Sequence, residues 1–165
     1  MASTLTVDNI VGATTAGNVH IPGAVIQVKN TNANTRTTHS STSYQVADDI
    51  VATITPKYTT SKILVMMNVM ARTFNGGGAD SSIKVGFSRD GGSTIISPIR
   101  TRAYDYGSNG IIVESSVSAN FLDSPATTSS LTYQVYFAYV NGNNATVNNF
   151  SPDAHSSITL MEIAQ

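Results

Sequence analysis

The stretch Lys62–Met70, Lys-Ile-Leu-Val-Met-Met-Asn-Val-Met, is apolar on both sides of an extended backbone. Successive side chains alternate along a strand, so Ile63, Val65, Met67 and Val69 point one way and Leu64, Met66 and Met70 the other, interrupted only by Asn68. An antiparallel sheet ordinarily turns one face to the core and the other to water. Leaving three large apolar side chains in water forgoes roughly 1.5–3 kcal/mol each. Together that rivals the net stability of a whole domain, about 5–15 kcal/mol. Such a strand calls for a second apolar layer, and another copy of the same chain supplies one. A core helix is the competing reading, because Leu and Met are good helix formers. Against it stand β-branched Ile63, Val65 and Val69, the preceding Thr59-Thr60-Ser61 and the following Asn75-Gly76-Gly77-Gly78.

The rest of the chain reads as short strands between turns. Ser, Thr and Asn make up about a third of the residues, a composition poor for helices and suited to strands and turns. The pattern predicts strands at Ala24–Lys29, Ser43–Val46, Ile50–Thr55, Lys62–Met70, Ser82–Arg89, Thr94–Ser97, Ile111–Phe121, Leu131–Val140, Ala145–Asn148 and Ser157–Ile163. Val85–Ile95, turning at Asp90-Gly91-Gly92, is the clearest hairpin. Leu131–Val140 again carries aromatic area on both sides, with Leu131, Tyr133, Val135, Phe137 and Tyr139 opposing Thr132, Gln134, Tyr136, Ala138 and Val140. The expected fold class is all-β, an antiparallel sandwich, jelly roll or barrel.

Length and charge narrow the function. A chain of 165 residues is one domain by length. Nine basic against ten acidic residues give a net charge of −1, with no electrostatic footprint for nucleic acid. There is no basic amphipathic helix for a membrane surface and no run of the eighteen or so apolar residues that a membrane span needs, so no membrane insertion is expected. Without cysteine, disulfides and thiolate metal sites are excluded. The first residues lack the basic and apolar regions of a secretory signal, so synthesis in a cytoplasm without such export is expected.

No catalytic constellation emerges, and the expectation is a protein that is not an enzyme and takes no metal or cofactor. His20, His39 and His155 lie far apart and lack ligand spacing, reading as loop or edge residues. Asp48 and Asp49 would diverge across a strand or sit in a solvated turn. The loops at Asp90-Gly91-Gly92 and Asn75–Asp80 lack the ligand ladder of a calcium loop and the Lys-Ser/Thr of a phosphate loop. Glu162, between Met161 and Ile163, is expected to turn outward by alternation. One constellation points to a ligand: Arg100, Arg102, Tyr104 and Tyr106 share parity on Pro98–Tyr106, and guanidinium groups beside phenol rings can stack on sugars. A surface strand whose Arg stems cover Tyr rings explains the same pattern without a ligand.

Four ordered segments, Ser3–Ile10, Ala52–Val65 (ATITPKYTTSKILV), Phe121–Tyr133 (FLDSPATTSSLTY) and Ser157–Ile163 (SITLMEI), span nearly the whole chain. In this combination the sequence resembles the short C-terminal modules of tail-fibre-like virion proteins from phages of marine bacteria, the cyanophage type especially. The resemblance implies a jelly-roll-like β-sandwich, homotrimeric in the tumour-necrosis-factor-like manner, on the virion surface at or near a receptor-binding tip. The chain departs from longer relatives in having neither coiled-coil heptads nor a repetitive shaft. A short fibre or tip domain mediating host attachment fits this, and so does a capsid decoration, head fibre or baseplate adaptor without receptor binding. A three-fold interface would bury one outer sheet face of each protomer. Its candidates are Leu64, Met66, Met70, Tyr133, Phe137 and Tyr139, with the core-facing parity left open. Residues 1–19 read either as an arm that attaches to other virion proteins through Leu5, Val7, Ile10 and Val11 or as an edge strand folding back on its own domain; residues 20–165 form the sandwich. A host cell-surface glycan is the expected partner of the Arg/Tyr strand.

Overall fold

In a computed structural model, residues 21–77, 80–104, 110–148, 153 and 155–165 are described. They form ten strands: β1 (Val25–Ala33), β2 (Thr37–His39), β3 (Gln45–Ile54), β4 (Lys62–Asn75), β5 (Asp80–Ser88), β6 (Ile96–Tyr104), β7 (Ile111–Asp123), β8 (Leu131–Asn141), β9 (Asn144–Val147) and β10 (Ser156–Ile163). All pairings are antiparallel, in a six-stranded sheet and a four-stranded sheet ordered β3-β8-β5-β6. The expected all-β sandwich is what the chain forms.

The two-faced strand is the backbone of the larger sheet. On one side β4 pairs with β7 from Ile63 to Asn75. On the other, β10 occupies its first half and β9 its last residues, with β1 outside β10 and β2 outside β9. Ile63, Val65, Met67, Val69 and Ala71 point inward with Ile158 and Leu160 from β10. They meet Ile83, Val85 and Phe87 of β5 and Tyr133, Val135 and Phe137 of β8, all fully buried.

This settles the parity of β8 and corrects half of the expected interface. Tyr133 and Phe137 are fully buried between the sheets and Tyr139 packs against the same cluster. These three belong to the protomer's own core. Both faces of β8 carry aromatic rings, and the face with more apolar area turned inward. The Tyr133 hydroxyl stays satisfied by donating to Asp123 Oδ2 at 2.6 Å, itself 3.3 Å from Arg89 Nε.

Glu162 is the second correction. Alternation along β10 sends Met161 and Ile163 outward and Glu162 inward, where it is fully buried. Its Oε2 accepts from Gln27 Nε2 at 2.6 Å and its Oε1 from the Lys57 backbone N–H at 2.7 Å. Gln27 also donates to the Thr55 carbonyl at 2.7 Å. The carboxylate thereby pins the β3–β4 connection onto β1 and β10, a need that side-chain alternation cannot reveal.

Other differences are local. Ser43–Val46 and Ile50–Thr55 join as the single strand β3, with a register shift between Val46 and Val51. The predicted Thr94–Ser97 strand runs on through Pro98 to Tyr104, and proline is tolerated because β6 is an edge strand. The short polar β2 carries no hydrophobic alternation to betray it. At the β5–β6 hairpin Asp90 Oδ1 accepts from Ser88 Oγ at 2.5 Å and the Thr94 N–H at 2.9 Å, holding its pKa down at about 2. Asp90 closes this turn itself. Gly86 is required beneath the hairpin, since a Cβ there would lie 2.5 Å from Ile95 Cγ2.

Candidate functional site

The outer face of the six-stranded sheet is ordered by register into transverse rows. Val28 pairs with Met161, Met161 with Leu64 and Leu64 with Leu122, giving an apolar row across β1, β10, β4 and β7. At the usual strand spacing that row is about 14 Å long. Val28 is 51% and Leu122 45% exposed, with Leu64 and Met161 half-buried between them. Val25 and Ile163 extend the patch on one side. On the other, the next row is Asn30, Thr159, Met66 and Asn120, in which Asn30 Nδ2 donates to Thr159 Oγ1 at 2.7 Å.

Beyond Met66 the face becomes polar. Asn32, Ser157, Asn68 and Ser118 form the third row, and Ser118 and Ser116 both donate to Asn68 Oδ1. Met70 lies past this barrier, opposite Ser116, and Arg72 pairs with Glu114 at 3.5 Å. A second apolar pair, Phe74 and Ile112, ends the face. Of the expected interface residues, Leu64 and Met66 therefore share the main patch and Met70 stands apart from it. Val28, Met161 and Leu122 complete the patch, and only pairing register brings them there. The candidate attachment residues Leu5, Val7, Ile10 and Val11 lie outside the described residues.

The outer face of the smaller sheet has different chemistry. Arg100, Arg102 and Tyr104 are exposed on one side of β6, as their parity predicts; Tyr106 lies outside the described residues. Arg102 grips Asp80 through Nε–Oδ1 at 2.8 Å and Nη2–Oδ2 at 2.5 Å, and its guanidinium sits 3.9 Å from the Tyr104 ring centroid. Asn141 also donates to Asp80. The Arg102 hydrogen bonds hold the Asp80 carboxyl below the ordinary carboxylate range, with Asn141 assisting against partial desolvation. Arg100 Nη2 donates to Ser82 Oγ at 2.8 Å, and Lys84 Nζ lies 4.5 Å from the Tyr44 ring centroid.

Glu162 and Asp49 are each held by different partners. Burial pushes the Glu162 pKa up, but donation from Gln27 and the Lys57 and Tyr58 amides, with the Ser61 hydroxyl nearby, outweighs it, so the net shift is downward. A carboxylate so satisfied is a structural pin. Asp48 is exposed, whereas Asp49 accepts from the Thr35 N–H at 2.7 Å and from Asn148 Nδ2 at 3.1 Å, holding the β1–β2 turn. His39 packs its ring 5.2 Å from that of Phe137, and His155 is exposed; His20 lies outside the described residues. Among the described residues no cluster of three His, Cys, Asp or Glu is placed to hold a metal ion. A shallow depression of about 410 Å³ beside Asn32, Asn34, His155 and Ser157 offers amides and hydroxyls but no carboxylate.

No protein-family model and no curated protein matches the chain. Among solved structures it is similar to the T13 viral particle of infectious bursal disease virus, at 11% identity over 99% of this chain and 40% of that one, with a TM-score of 0.38. The VP2 subviral particle of the same virus aligns at 10% identity over 100% of this chain and 43% of that one, with a TM-score of 0.35. Latent PorU from Porphyromonas gingivalis gives 10% identity over 90% of this chain and 14% of that one, with a TM-score of 0.34. The chain spans about two-fifths of the length of the viral chains it matches. Likeness this distant carries no argument about function.

Proposed function

We propose that this chain is a non-enzymatic phage virion protein of the tail-fibre type, a short trimeric fibre or tip domain that attaches the particle to its host. The observation that carries the reading is the row Val28–Met161–Leu64–Leu122, which no described residue covers. Contiguous exposed apolar area with a polar rim marks an interaction surface. Val28 and Leu122 are about half exposed, so full burial would recover about 0.7–1.5 kcal/mol for each, with less from the more buried Leu64 and Met161. A heterologous contact that closes on itself buries the patch once per protomer. The four-segment resemblance to tail-fibre-like proteins supports the virion setting and three-fold order. Three copies of a weak receptor contact then raise avidity without any single tight site.

The test is to label the protein on particles of the phage that encodes it and to add the free protein during adsorption. Label at the tail end and competition for adsorption are expected. Label on the head shell without competition would replace this reading with capsid decoration.

A further inference from the structure

We infer that the outer face of the four-stranded sheet binds an acidic polysaccharide through Lys84 and Arg100, with Tyr44 and Tyr104 as flanking sugar platforms. The inference rests on the host-attachment reading and names the chemistry of the receptor. Lys84 and Arg100 are direct cross-strand partners on β5 and β6. Like charges placed opposite each other in an antiparallel pair destabilise it. The third cation of the face, Arg102, is neutralised by its two-point contact with Asp80. Among the described residues neither Lys84 nor Arg100 forms an ion pair, and Arg100 acts on Asp80 only at a distance. This face thus concentrates positive charge on a chain whose net charge is −1, and an anion lying between Lys84 and Arg100 would relieve their repulsion.

The rings decide in favour of a sugar acid over a bare anion. Lys84 leans on Tyr44, and Arg102 lies on Tyr104, which is 58% exposed. A tyrosine with one face occupied by a cation keeps the other face and its hydroxyl for a pyranose ring. Ala138, outward on β8 opposite Lys84, is small and fully buried, which lets Lys84 and Tyr44 lie low across the sheet. The result is a shallow strip suited to a chain of sugar rings bearing carboxylates. Arg100 offers a planar fork for one of those carboxylates.

The probe is polygalacturonate, compared with neutral dextran and with poly-glutamate, in affinity electrophoresis of the full chain. Retardation by polygalacturonate alone is expected. The double variant K84Q/R100Q should weaken binding at least tenfold with oligomeric mass unchanged and melting equal to or above the parent's, and Y104A should weaken it several-fold. Equal retardation by poly-glutamate, unchanged binding by K84Q/R100Q, or no binding by the parent chain would each overturn the inference. Adsorption competition separates the two levels. If K84Q/R100Q competes as well as the parent, the strip is not the receptor site and attachment stands. If the parent binds polygalacturonate but never competes, attachment falls and the strip stands.

Discussion

The two outer faces of this sandwich solve the same problem in opposite ways. Each sheet must present something to its surroundings after turning its larger apolar face inward. The four-stranded sheet covers its outer apolar atoms with its own groups. Tyr44 and Lys84 lie beside Ala138, the β5–β6 hairpin lies over Gly86, and Thr53 and Thr132 hydrogen-bond across β3 and β8 at 3.0 Å. Among the described residues, nothing roofs Leu64, Leu122, Met161 and Val28 on the six-stranded sheet. The lesson is that apolar content on both sides of a strand does not identify an interface. β8 carries rings on both faces and β4 carries Leu and Met, yet of these two strands it is β4 whose outer side chains no described residue covers.

The strongest way to break this contrast is to charge the uncovered face. If the proposed trimer forms through this face, L64D combined with L122D should convert it to single subunits, raising the dissociation constant by more than a hundredfold, because each interface would bury unpaired carboxylates. Sedimentation velocity reads this directly, and far-ultraviolet circular dichroism should show the sheet content retained. A trimer that survives the double substitution would place the interface elsewhere.

Removing the pin beneath the same strand should do the reverse. E162A leaves Gln27 and two backbone N–H groups without their acceptor, which at about 1–3 kcal/mol for an unsatisfied buried group predicts a loss of about 2–3 kcal/mol in urea unfolding. Met161 and Ile163 still face outward, so association of the folded protein should persist. The pH dependence has a definite sign. The folded pKa of Glu162 lies below its ordinary value, so its contribution is complete above the unfolded pKa of about 4.3 and disappears as pH falls through the folded pKa. E162Q should flatten the urea midpoint between pH 5 and pH 3 relative to the parent.

Y133F sharpens the contrast further. It strips Asp123 of its phenol donor and should cost about 1–2 kcal/mol. Oligomeric mass should stay constant, as befits a core residue. R102Q, at the exposed Asp80 contact, should alter neither the urea midpoint nor the mass measurably, since solvated ion pairs contribute little.

Much of the architecture was legible because periodicity is local. The strand nature of Lys62–Met70, the β5–β6 hairpin and the shared face of Arg100, Arg102 and Tyr104 all follow from neighbours in sequence. What stayed hidden depends on pairing between distant segments. Nothing local places Val28, Met161, Leu64 and Leu122 in one row, because that row is a product of three registers. Nothing local says that Glu162 must face inward to hold Gln27 and the Lys57 amide. Tyr133 and Phe137 were legible as large apolar side chains, but their side of β8 was fixed only when it packed opposite β4. Asp80 and Asn141, which organise Arg102, lie 22 and 39 residues from it in the chain.

Light scattering of the purified chain at micromolar concentration tests the central claim most directly. A mass about three times the 17.4 kDa of one chain is expected, unchanged in 0.5 M salt because the contact is apolar. A compact single subunit that stays soluble with the Leu64 row exposed would contradict it.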